Sequence, residues 1–457
     1  MSRPAETFRH AVFAAKQRTV LRDSESKTRR AAADEVSPVG ELLERQRRAA
    51  IAHARYAMTE SPFYRQLYRD AGFTLDDLRD PDAFASLPVV EKDDVRAHFD
   101  DIRTPEATPR TTAVSKTGGS TGQPLRILRD TRVSVQPIEW RLMSWWGVHP
   151  SDNVAIVFRH IKTPREAAVH AVKWWPSRRI LLDAYRIGDD EVRAFARRWQ
   201  RLRPALLTGY AGGVLELART LERLGLQVPA PVAVATTASP LSDPHRAEVE
   251  ALLGAPVYDH YRSSEIPWMG GECRERDGHH MFVLDRLVEL LDDEGRRVPD
   301  GETGEVVATD LTNRVFPLIR YRLGDRTRVL PDPCRCGVTL PRMARVEGRR
   351  TDGLRLPDGT WVAGIGLYQI FNTVHGSVRQ AQIDQAADHS VTVRCVLTDD
   401  PDAERAVQGV VEDLRGKLRH AVPVRFERVD SIPHDGGKIR YIRSAVPDAS
   451  PVAEPNR

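Results

Sequence analysis

Apolar residues near the start of the chain recur with the period of an α-helix. After Ser37-Pro38 they continue through Leu42, Ile51 and Met58, until Ser61-Pro62 interrupts the pattern. A serine cap followed by a proline in the first turn is typical of a helix start. Because the residue before a proline disfavours helical dihedral angles, the second Ser-Pro pair is expected to end the helix. The pattern therefore predicts one long helix from about residue 38 to residue 60, followed by shorter helices.

Between about residues 150 and 345 the pattern changes to short apolar runs that alternate with helical segments. Val154–Phe158, Ala205–Leu207 and Val232–Ala235 are apolar runs, and Val214–Leu224 has helical spacing. Such alternation is typical of βα units and parallel sheets. Three more strands, separated by turn signals, predict an antiparallel or barrel-like segment that closes this domain: Leu287–Leu291, Gly304–Thr309 and Arg326–Leu330.

A third pattern begins after Asp352 and predicts a small α+β unit. It contains the turn Pro357-Asp358-Gly359, a helix near Leu367–Thr373, a strand at Val391–Leu397 and a helix near Ala403–Leu418. We therefore expect an α/β protein, divided into a polar N-terminal extension (1–36), a large domain (37–351), a small domain (352–446) and a flexible tail (447–457).

Composition narrows the class of protein. The 457 residues are 41% hydrophobic and 29% charged, which is ordinary for a globular protein and unlike a disordered one. The 68 basic and 64 acidic residues give a net charge of +4, and so small an excess does not demand a nucleic-acid partner. The basic stretch Arg18–Arg30 contains Asp23 and Glu25, and we interpret it as a solvated helical face.

The chain has no apolar run at its start and none of roughly 18 residues elsewhere. We expect a soluble, cytoplasmic protein without a membrane partner. Its oligomeric state stays open, with a homodimer as one option.

The most informative local feature is a glycine- and hydroxyl-rich segment, Ser115-Lys116-Thr117-Gly118-Gly119-Ser120-Thr121-Gly122-Gln123-Pro124. Glycines allow tight turns toward an anion, and the hydroxyls between them can donate to phosphate oxygens. The segment lacks the Gly-Lys-Ser/Thr of a Walker loop. We interpret it as a phosphate-binding loop, with a flexible polar loop as the alternative.

Further motifs make the chain resemble the adenylate-forming superfamily. They follow the glycine loop in the order and spacing of that family: Tyr261-Arg262-Ser263-Ser264-Glu265, Tyr321-Arg322-Leu323-Gly324-Asp325, Gly348-Arg349-Arg350-Thr351-Asp352 and Gly436-Gly437-Lys438-Ile439-Arg440. Arg262 departs from the pattern, because it stands where the family usually has glycine. Upstream, Ser61–Tyr64 and Leu87–Lys92 are similar to the phenylacetate-CoA ligase and CapK branch. The resemblance spans about residues 37 to 443.

This resemblance implies the adenylate-forming fold, with a large AMP-binding domain and a small mobile C-terminal domain. It also implies an ATP-dependent enzyme that activates a small carboxylic acid as its acyl-adenylate and passes the acyl group to coenzyme A. Attack of a carboxylate on the α-phosphate brings two anions together, so cationic and hydrogen-bonding groups are needed where charge accumulates.

The resemblance assigns a role to each site residue. The ATP site comprises Ser115, Thr117, Gly118, Gly119, Ser120, Thr121, Gly122, Tyr261, Ser264, Asp325 and Arg349. Among these, Thr117, Ser120 and Thr121 hold the β- and γ-phosphates, Tyr261 lies along the adenine, Asp325 binds the ribose hydroxyls and Arg349 the ribose and phosphate region. Glu265 holds Mg²⁺, Lys438 is the catalytic cation and Asp352 is the hinge. Simpler roles remain open: Asp325 as a turn cap, Arg349 as a surface ion pair and Lys438 as an exposed turn lysine.

Cysteine and histidine residues suggest a metal site. Cys334-Arg335-Cys336 and Cys273 offer three thiols, and His279-His280 offers an imidazole. Three thiols and one imidazole suit tetrahedral Zn²⁺, although the Cys-x-Cys spacing is tighter than that of a usual zinc knuckle. Relatives in the resembled branch carry matching pieces, which favours His280 over His279. Four protein ligands would make this zinc structural. Cys395 is expected to be a small buried apolar residue.

The sequence says less about the identity of the acyl substrate and its acceptor than about the nucleotide site. Aromatic residues concentrate where the resembled family binds its acid, so a flat acid would suit them, but each could equally belong to the core: Trp140, Trp145, Trp146, Trp174, Trp175, Tyr185 and Tyr210. The stretch Leu207–Gly213 resembles a pocket-side loop, with Tyr210 and Gly212 against the substrate. Coenzyme A is the expected acceptor. An amine, giving an amide, and activation of another small oxyanion are alternatives, and a zinc-containing nucleic-acid-binding or scaffold protein is a second alternative.

Overall fold

The structure is a computed structural model, and it describes residues 3–19, 21–116, 125–158, 168–169, 171–172, 174–184, 186–239, 241–349, 353–358, 360–363, 367, 369–374, 376–432 and 441–446. Apart from Ser242–Pro244, the chain divides into two compact units after Val346. Among the helices of these described segments, none has the length and hydropathy needed to cross a membrane.

Helices supply most of the first unit outside its sheets. They are α1 (Arg3–Arg18), α2 (Arg22–Asp34), α3 (Val39–Glu60), α4 (Pro62–Asp70), α5 (Lys92–Ala97), α6 (Phe99–Ile102), α7 (Gln136–Trp145), α8 (Asp189–Leu202), α9 (Ala211–Arg223) and α10 (Asp243–Leu253), with 3-10 turns at Asp77–Arg79 and Pro81–Ser86.

The two Ser-Pro pairs behave differently from each other. Ser61 ends α3 and caps α4, where its hydroxyl oxygen accepts from the Tyr64 amide at 3.5 Å. The predicted Ser37 cap of α3 is wrong: Pro38 occupies the cap position, and the Ser37 hydroxyl donates back to the Ala33 carbonyl at 3.1 Å. The last turn of the preceding helix has therefore captured the hydroxyl that was expected to begin the next one.

A mixed sheet forms the centre of the first unit. Its strands are β3 (Val154–Phe158), β4 (Arg179–Asp183), β5 (Leu206–Tyr210), β6 (Ala233–Thr237), β7 (Val257–Tyr261), β8 (Gly270–Glu272), β9 (His279–Met281), β10 (Arg286–Leu291), β11 (Thr303–Asp310), β12 (Tyr321–Leu330) and β13 (Arg342–Met343). A separate antiparallel pair, β1 (Thr112–Lys116) and β2 (Arg126–Asp130), flanks the glycine-rich segment.

The sheet has a parallel half and an antiparallel half that meet at β7. The order β4-β3-β5-β6-β7 is parallel throughout, and β8-β9-β13-β12-β11-β10 continues it with antiparallel pairs. Strands of a parallel sheet are covered on both faces, which explains why all five residues of β6 are buried. Alternate residues of β3 enter two different cores: Val154 and Ile156 enter one, and Ala155 and Val157 the other.

The second unit is a small α+β structure that begins at Glu347. Its elements are β14 (Gly348–Arg349), β15 (Gly353–Arg355), β16 (Trp361–Ala363), a 3-10 turn at Gln369–Val374, β17 (Val378–Gln385), β18 (Val391–Leu397), α11 (Ala403–Lys417), β19 (Val424–Arg428) and β20 (Ile442–Ser444). The sheet order is β19-β18-β17-β20. Cys395 lies fully buried in this core, as expected of a small apolar residue.

The N-terminal segment packs onto the first unit through a buried carboxylate. Glu35 is only 5% exposed, and its two oxygens accept from Arg141 Nε at 2.7 Å and from the Trp145 indole at 3.0 Å. The Glu35 carbonyl accepts from the Thr339 amide at 2.8 Å. Glu35 thus joins α2 to α7 and to the loop that carries two of the cysteines.

We expect Glu35→Gln to lower the free energy of unfolding by about 2 to 3 kcal/mol, because the guanidinium of Arg141 would lose its charged partner in a mostly buried setting. Urea unfolding followed by tryptophan fluorescence would measure this loss. Glu44→Gln is the control, since Glu44 lies in an exposed pair with Arg48 that should contribute less than about 1 kcal/mol. Equal unfolding midpoints for the two variants would show that Glu35 carries no special weight.

Candidate functional site

Four neighbouring parallel strands end at one edge of the sheet. Their last residues are Phe158 in β3, Tyr210 in β5, Thr237 in β6 and Tyr261 in β7. In open α/β sheets, ligands bind beyond the carboxyl ends of the strands, where the loops diverge. This edge also carries the motif from Tyr261 to Glu265, so it is the candidate active site.

The first motif contact at this edge joins Tyr261 to Asp325. The Tyr261 hydroxyl donates to Asp325 Oδ2 at 2.7 Å, and both residues are buried. Asp325 lies in β12, where the pairing with β11 shifts register between Glu305 and Val307. Gly324 has a φ of +79°, a conformation that favours glycine, and this irregularity is typical of a bulge that re-aims a side chain. The glycine of this motif is therefore needed by the backbone.

A second contact joins the glycine-rich segment to the same motif. The Ser115 hydroxyl donates to the Ser264 carbonyl at 3.3 Å, and Arg129 Nη2 donates to the same oxygen at 3.1 Å. Ser264 and Glu265 lie in a tight turn in which the Ile266 amide donates to the Ser263 hydroxyl oxygen at 2.8 Å. The strand that leads into the glycine-rich segment therefore lies against the turn that carries Glu265.

Several predicted residues cannot be placed. Those outside the described residues are Thr117, Gly118, Gly119, Ser120, Thr121, Gly122, Tyr185, Asp352 and Lys438. Arg349 belongs to β14, but its side chain is also outside the described part.

The stretch Leu207–Gly213 is not the predicted loop. β5 runs directly into α9 at Tyr210-Ala211. Position 209 requires glycine because the neighbouring strand β3 is close. A Cβ at this position would lie 2.7 Å from the Val157 carbonyl oxygen. The Tyr210 ring packs edge-on against Phe158, with 4.9 Å between the centroids, and Gly212 lies in the first turn of α9. Packing between strands explains Gly209, so the glycines do not by themselves indicate a ligand.

Three of the predicted aromatic residues belong to the core, whereas Trp174 and Tyr210 are half-buried and Trp175 is exposed. Trp140, Trp145 and Trp146 are at most 7% exposed, and the Trp146 indole donates to the Glu272 carbonyl at 2.8 Å. Sequence reasoning missed Phe158 and Trp268, which flank Arg262 at the site edge. The one available signal was the arginine at a position where the resembled family has glycine.

Cys273, His280, Cys334 and Cys336 form the predicted metal-binding group. Their donor atoms all lie within 4.8 Å of one another. Cys273 Sγ is 3.6 Å from Cys334 Sγ, and Cys336 Sγ is 3.3 Å from His280 Nε2. Tetrahedral zinc with bonds of about 2.3 Å to sulfur would separate two sulfurs by about 3.7 Å. The four donors therefore lie close enough together to share one tetrahedral ion.

Strand geometry selects between the two neighbouring histidines. His279 and His280 are adjacent in β9, so their side chains face opposite sides of the sheet. His280 Nδ1 lies 3.3 Å from the Leu340 carbonyl oxygen. If Nδ1 carries the proton and donates to this oxygen, Nε2, which faces the cysteines, can bind a metal ion. His279 faces Asp259 instead, with 3.2 Å from Nε2 to Oδ2. His280, the preferred candidate, is the residue in the cluster.

The C-terminal unit matches a known domain. Residues 354–445 match the family model of the CapK C-terminal domain. Over 444 residues the chain is 25% identical to a phenylacetate-coenzyme A ligase of Thermus thermophilus, covering 89% of this chain and 98% of that protein. It is 24% identical over 366 residues to protein CapK of Staphylococcus aureus, covering 78% and 79% of the two chains.

Solved structures share the fold. A 2-hydroxyisobutyryl-CoA ligase, in the postadenylation state with 2-HIB-AMP, superposes with a TM-score of 0.72 at 21% identity, covering 90% of this chain and 91% of that one. The amide bond synthetase McbA from Marinactinospora thermotolerans superposes with a TM-score of 0.53 at 18% identity, covering 91% and 97%. The architecture is therefore that of adenylate-forming ligases.

Proposed function

Because the chain belongs to the adenylate-forming superfamily, in the branch of the phenylacetate-CoA ligases and CapK, we propose that it activates a small carboxylic acid with ATP. The first step forms an acyl-adenylate and releases pyrophosphate. In the second step the thiol of coenzyme A attacks the acyl carbonyl, a thioester forms and AMP leaves.

One observation carries this proposal: three motifs that are far apart in sequence meet at one sheet edge. Ser115 contacts Ser264, and Tyr261 contacts Asp325. The phosphate loop follows Ser115 directly, so the loop starts beside the turn that contains Glu265. A nucleotide could span this arrangement from its phosphates to its ribose.

Each residue then has a chemical task. Thr117, Ser120 and Thr121 donate hydrogen bonds to the phosphates, and the buried Asp325 carboxylate accepts from the ribose hydroxyls. Tyr261 lies along the adenine, and Arg349 binds the ribose and phosphate region. Glu265 would hold Mg²⁺, whose charge would offset that of the phosphates. Lys438 bridges the substrate carboxylate and the α-phosphate, where negative charge builds up as the bond forms.

The domain division follows from the same proposal. Residues 37–351 bind the nucleotide, and residues 352–446 form the mobile small domain that delivers Lys438. Asp352 is the hinge, and hinges of this kind absorb their change in a few backbone dihedral angles.

The four-donor metal group is proposed to hold structural Zn²⁺. Three thiols and one imidazole are the donor set that zinc prefers, and no position is left for a substrate. The Val338 amide lies 3.4 Å from Cys336 Sγ, a contact that would stabilise a thiolate there. Burial of these thiols raises the pKa of Cys273 and of Cys336, so a bound cation is needed to hold them ionised.

An amine acceptor is the second candidate. The small domain matches the CapK model, and the segment Leu356–Val362 departs from the standard phenylacetate-CoA ligases. Offering coenzyme A and a panel of amines to the enzyme with ATP and an accepted acid, and identifying the product by mass spectrometry, separates thioester from amide formation.

We expect Lys438→Ala to lower adenylation at least about 100-fold with little effect on folding, because its ammonium acts mainly in the transition state. Exchange of labelled pyrophosphate into ATP across a panel of acids would measure adenylation. Lys417→Ala, an exposed lysine of the same unit, is the control and should keep full activity. Undiminished exchange by Lys438→Ala would remove this lysine from the mechanism, and no exchange by the unmodified chain with any acid would count against the function itself.

We expect the purified protein to contain about one zinc ion per chain by elemental analysis, and Cys336→Ser to lose it with a fall of several degrees in Tm, because one of four ligands is removed. Cys395→Ala is the control: it alters a buried thiol outside the group, so its zinc content should stay at the parent value. Full zinc content in Cys336→Ser would show that the ion binds elsewhere.

A further inference from the structure

We propose that Arg262 and His260 form a subsite for a second carboxylate of the acyl substrate, so that the acid activated by this chain is an aromatic dicarboxylate. This inference rests on the proposed function and names its substrate class. It begins from a departure in the sequence, because Arg262 stands where the resembled family usually has glycine.

The subsite and the nucleotide contacts lie on opposite faces of β7. Side chains alternate along a strand, so His260 faces away from Tyr261. His260 stacks on Trp268 with 4.9 Å between centroids, and the Arg262 guanidinium lies 5.0 Å from the same ring. Both residues therefore contact one aromatic surface, while Tyr261 reaches Asp325 on the other side.

Arg262 presents the edge of its guanidinium for binding. Phe158 and Trp268 lie against the group, with the Phe158 centroid 4.7 Å from Cζ. Among the residues that the structure describes, no carboxylate lies within ion-pair distance of Arg262, and Glu139 acts on it only electrostatically from farther away. Burial lowers the pKa of Arg262, yet an arginine stays charged at neutral pH. A planar cation without a carboxylate partner among the described residues suits bidentate binding of a carboxylate.

His260 adds an unpaired polar group beside it. The residue is 2% exposed, and within the described segments neither ring nitrogen has a hydrogen-bond partner. Burial, with the nearby Arg262 and His279, holds the pKa of His260 well below its usual range, so the ring is neutral and carries one N–H donor. Buried polar groups are nearly always hydrogen-bonded, so an unpaired ring nitrogen beside Arg262 is a candidate partner for a ligand oxygen.

Backbone strain fixes the aromatic surface between these two residues. Trp268 has a φ of +52°, in the left-handed region that bulky residues rarely adopt. Strain of this kind persists only where the surrounding structure imposes it, and it concentrates at functional sites. The constrained Trp268 lies against both His260 and Arg262.

The class of ligand follows from the combination of a cation, a neutral histidine and flat aromatic surfaces. Phe158, Tyr210 and Trp268 offer flat apolar surfaces at the carboxyl edge of the sheet. One carboxylate of the acid must point toward the phosphates to react. A second carboxylate on an aromatic ring can then meet Arg262 and His260, whereas a monocarboxylic acid would leave both unpaired.

The test compares matched acids that differ by one carboxylate. Benzoate is paired with phthalate, isophthalate and terephthalate, and phenylacetate with its three ring-carboxylated forms. We expect kcat/KM for pyrophosphate exchange to favour the best diacid over its monoacid by about 10- to 100-fold, the range of a hydrogen bond to a charged group. Calorimetric binding of each diacid provides a readout that does not depend on catalysis.

Three variants connect the preference to the subsite. Arg262→Gly, which installs the usual family residue, should abolish the diacid preference and leave monoacid exchange unchanged or higher. His260→Phe keeps a ring on Trp268 and should weaken only the diacids. Arg297→Gly, at an exposed arginine that forms a β-bridge with Leu291, should change neither the diacid preference nor monoacid exchange.

The outcomes separate the two levels of inference. Exchange that favours monoacids, or an equal loss for all acids in Arg262→Gly, overturns the subsite and leaves the ligase function standing. Diacid binding that depends on Arg262 without any exchange supports the subsite and counts against the ligase function. Absence of both exchange and diacid binding overturns both.

Discussion

The alternation of side chains along β7 is the constraint on which the site depends. Tyr261 and Asp259 face one side of the sheet, and His260 faces the other. One strand can therefore hold the contact between Tyr261 and Asp325 on one face and an aromatic, cationic surface on the opposite face. A slip of one residue in its pairing would exchange the two faces, so the register of β7 determines which chemistry each side receives.

The antiparallel half of the sheet holds that register. β8 and β9 follow β7 as short strands, and β13 connects them to β12, which carries Asp325. The cysteine and histidine group closes this arrangement, because Cys273 follows β8, His280 lies in β9 and Cys334 follows β12. A zinc ion bound there would join the segments that follow β8 and β12 to β9. The same group of strands carries the contact between Tyr261 and Asp325. The proposed structural metal would then support the nucleotide site without touching it.

Sequence patterns predicted best where one residue type has one physical role. Val391–Leu397 was predicted to the residue because its apolar residues alternate with Thr392 and Arg394, the period of a strand. The four metal donors were found because three thiols and an imidazole suit one kind of ion, and the resemblance favoured His280. Prediction failed where tertiary packing decides. Val378–Gln385 and Val424–Arg428 mix polar and apolar residues and were missed as strands, and the glycines of Leu207–Gly213 suggested a loop although Gly209 only makes room for β3.

Arg262 shows that the order of the motifs and the chemistry of one residue answer different questions. The motifs indicate the type of reaction, and Arg262 concerns the substrate. Tyr261, Glu265 and Asp325 stand where the motifs of the resembled superfamily require them. On the other face, glycine has become arginine, and only the structure shows that its guanidinium lies between Phe158 and Trp268. Under the proposed function, an arginine where the resembled family usually has glycine reduces the space for an apolar acid. The proposed second carboxylate would offset that loss with an opposite charge, so Arg262 bears on the substrate and the retained motifs bear on the reaction.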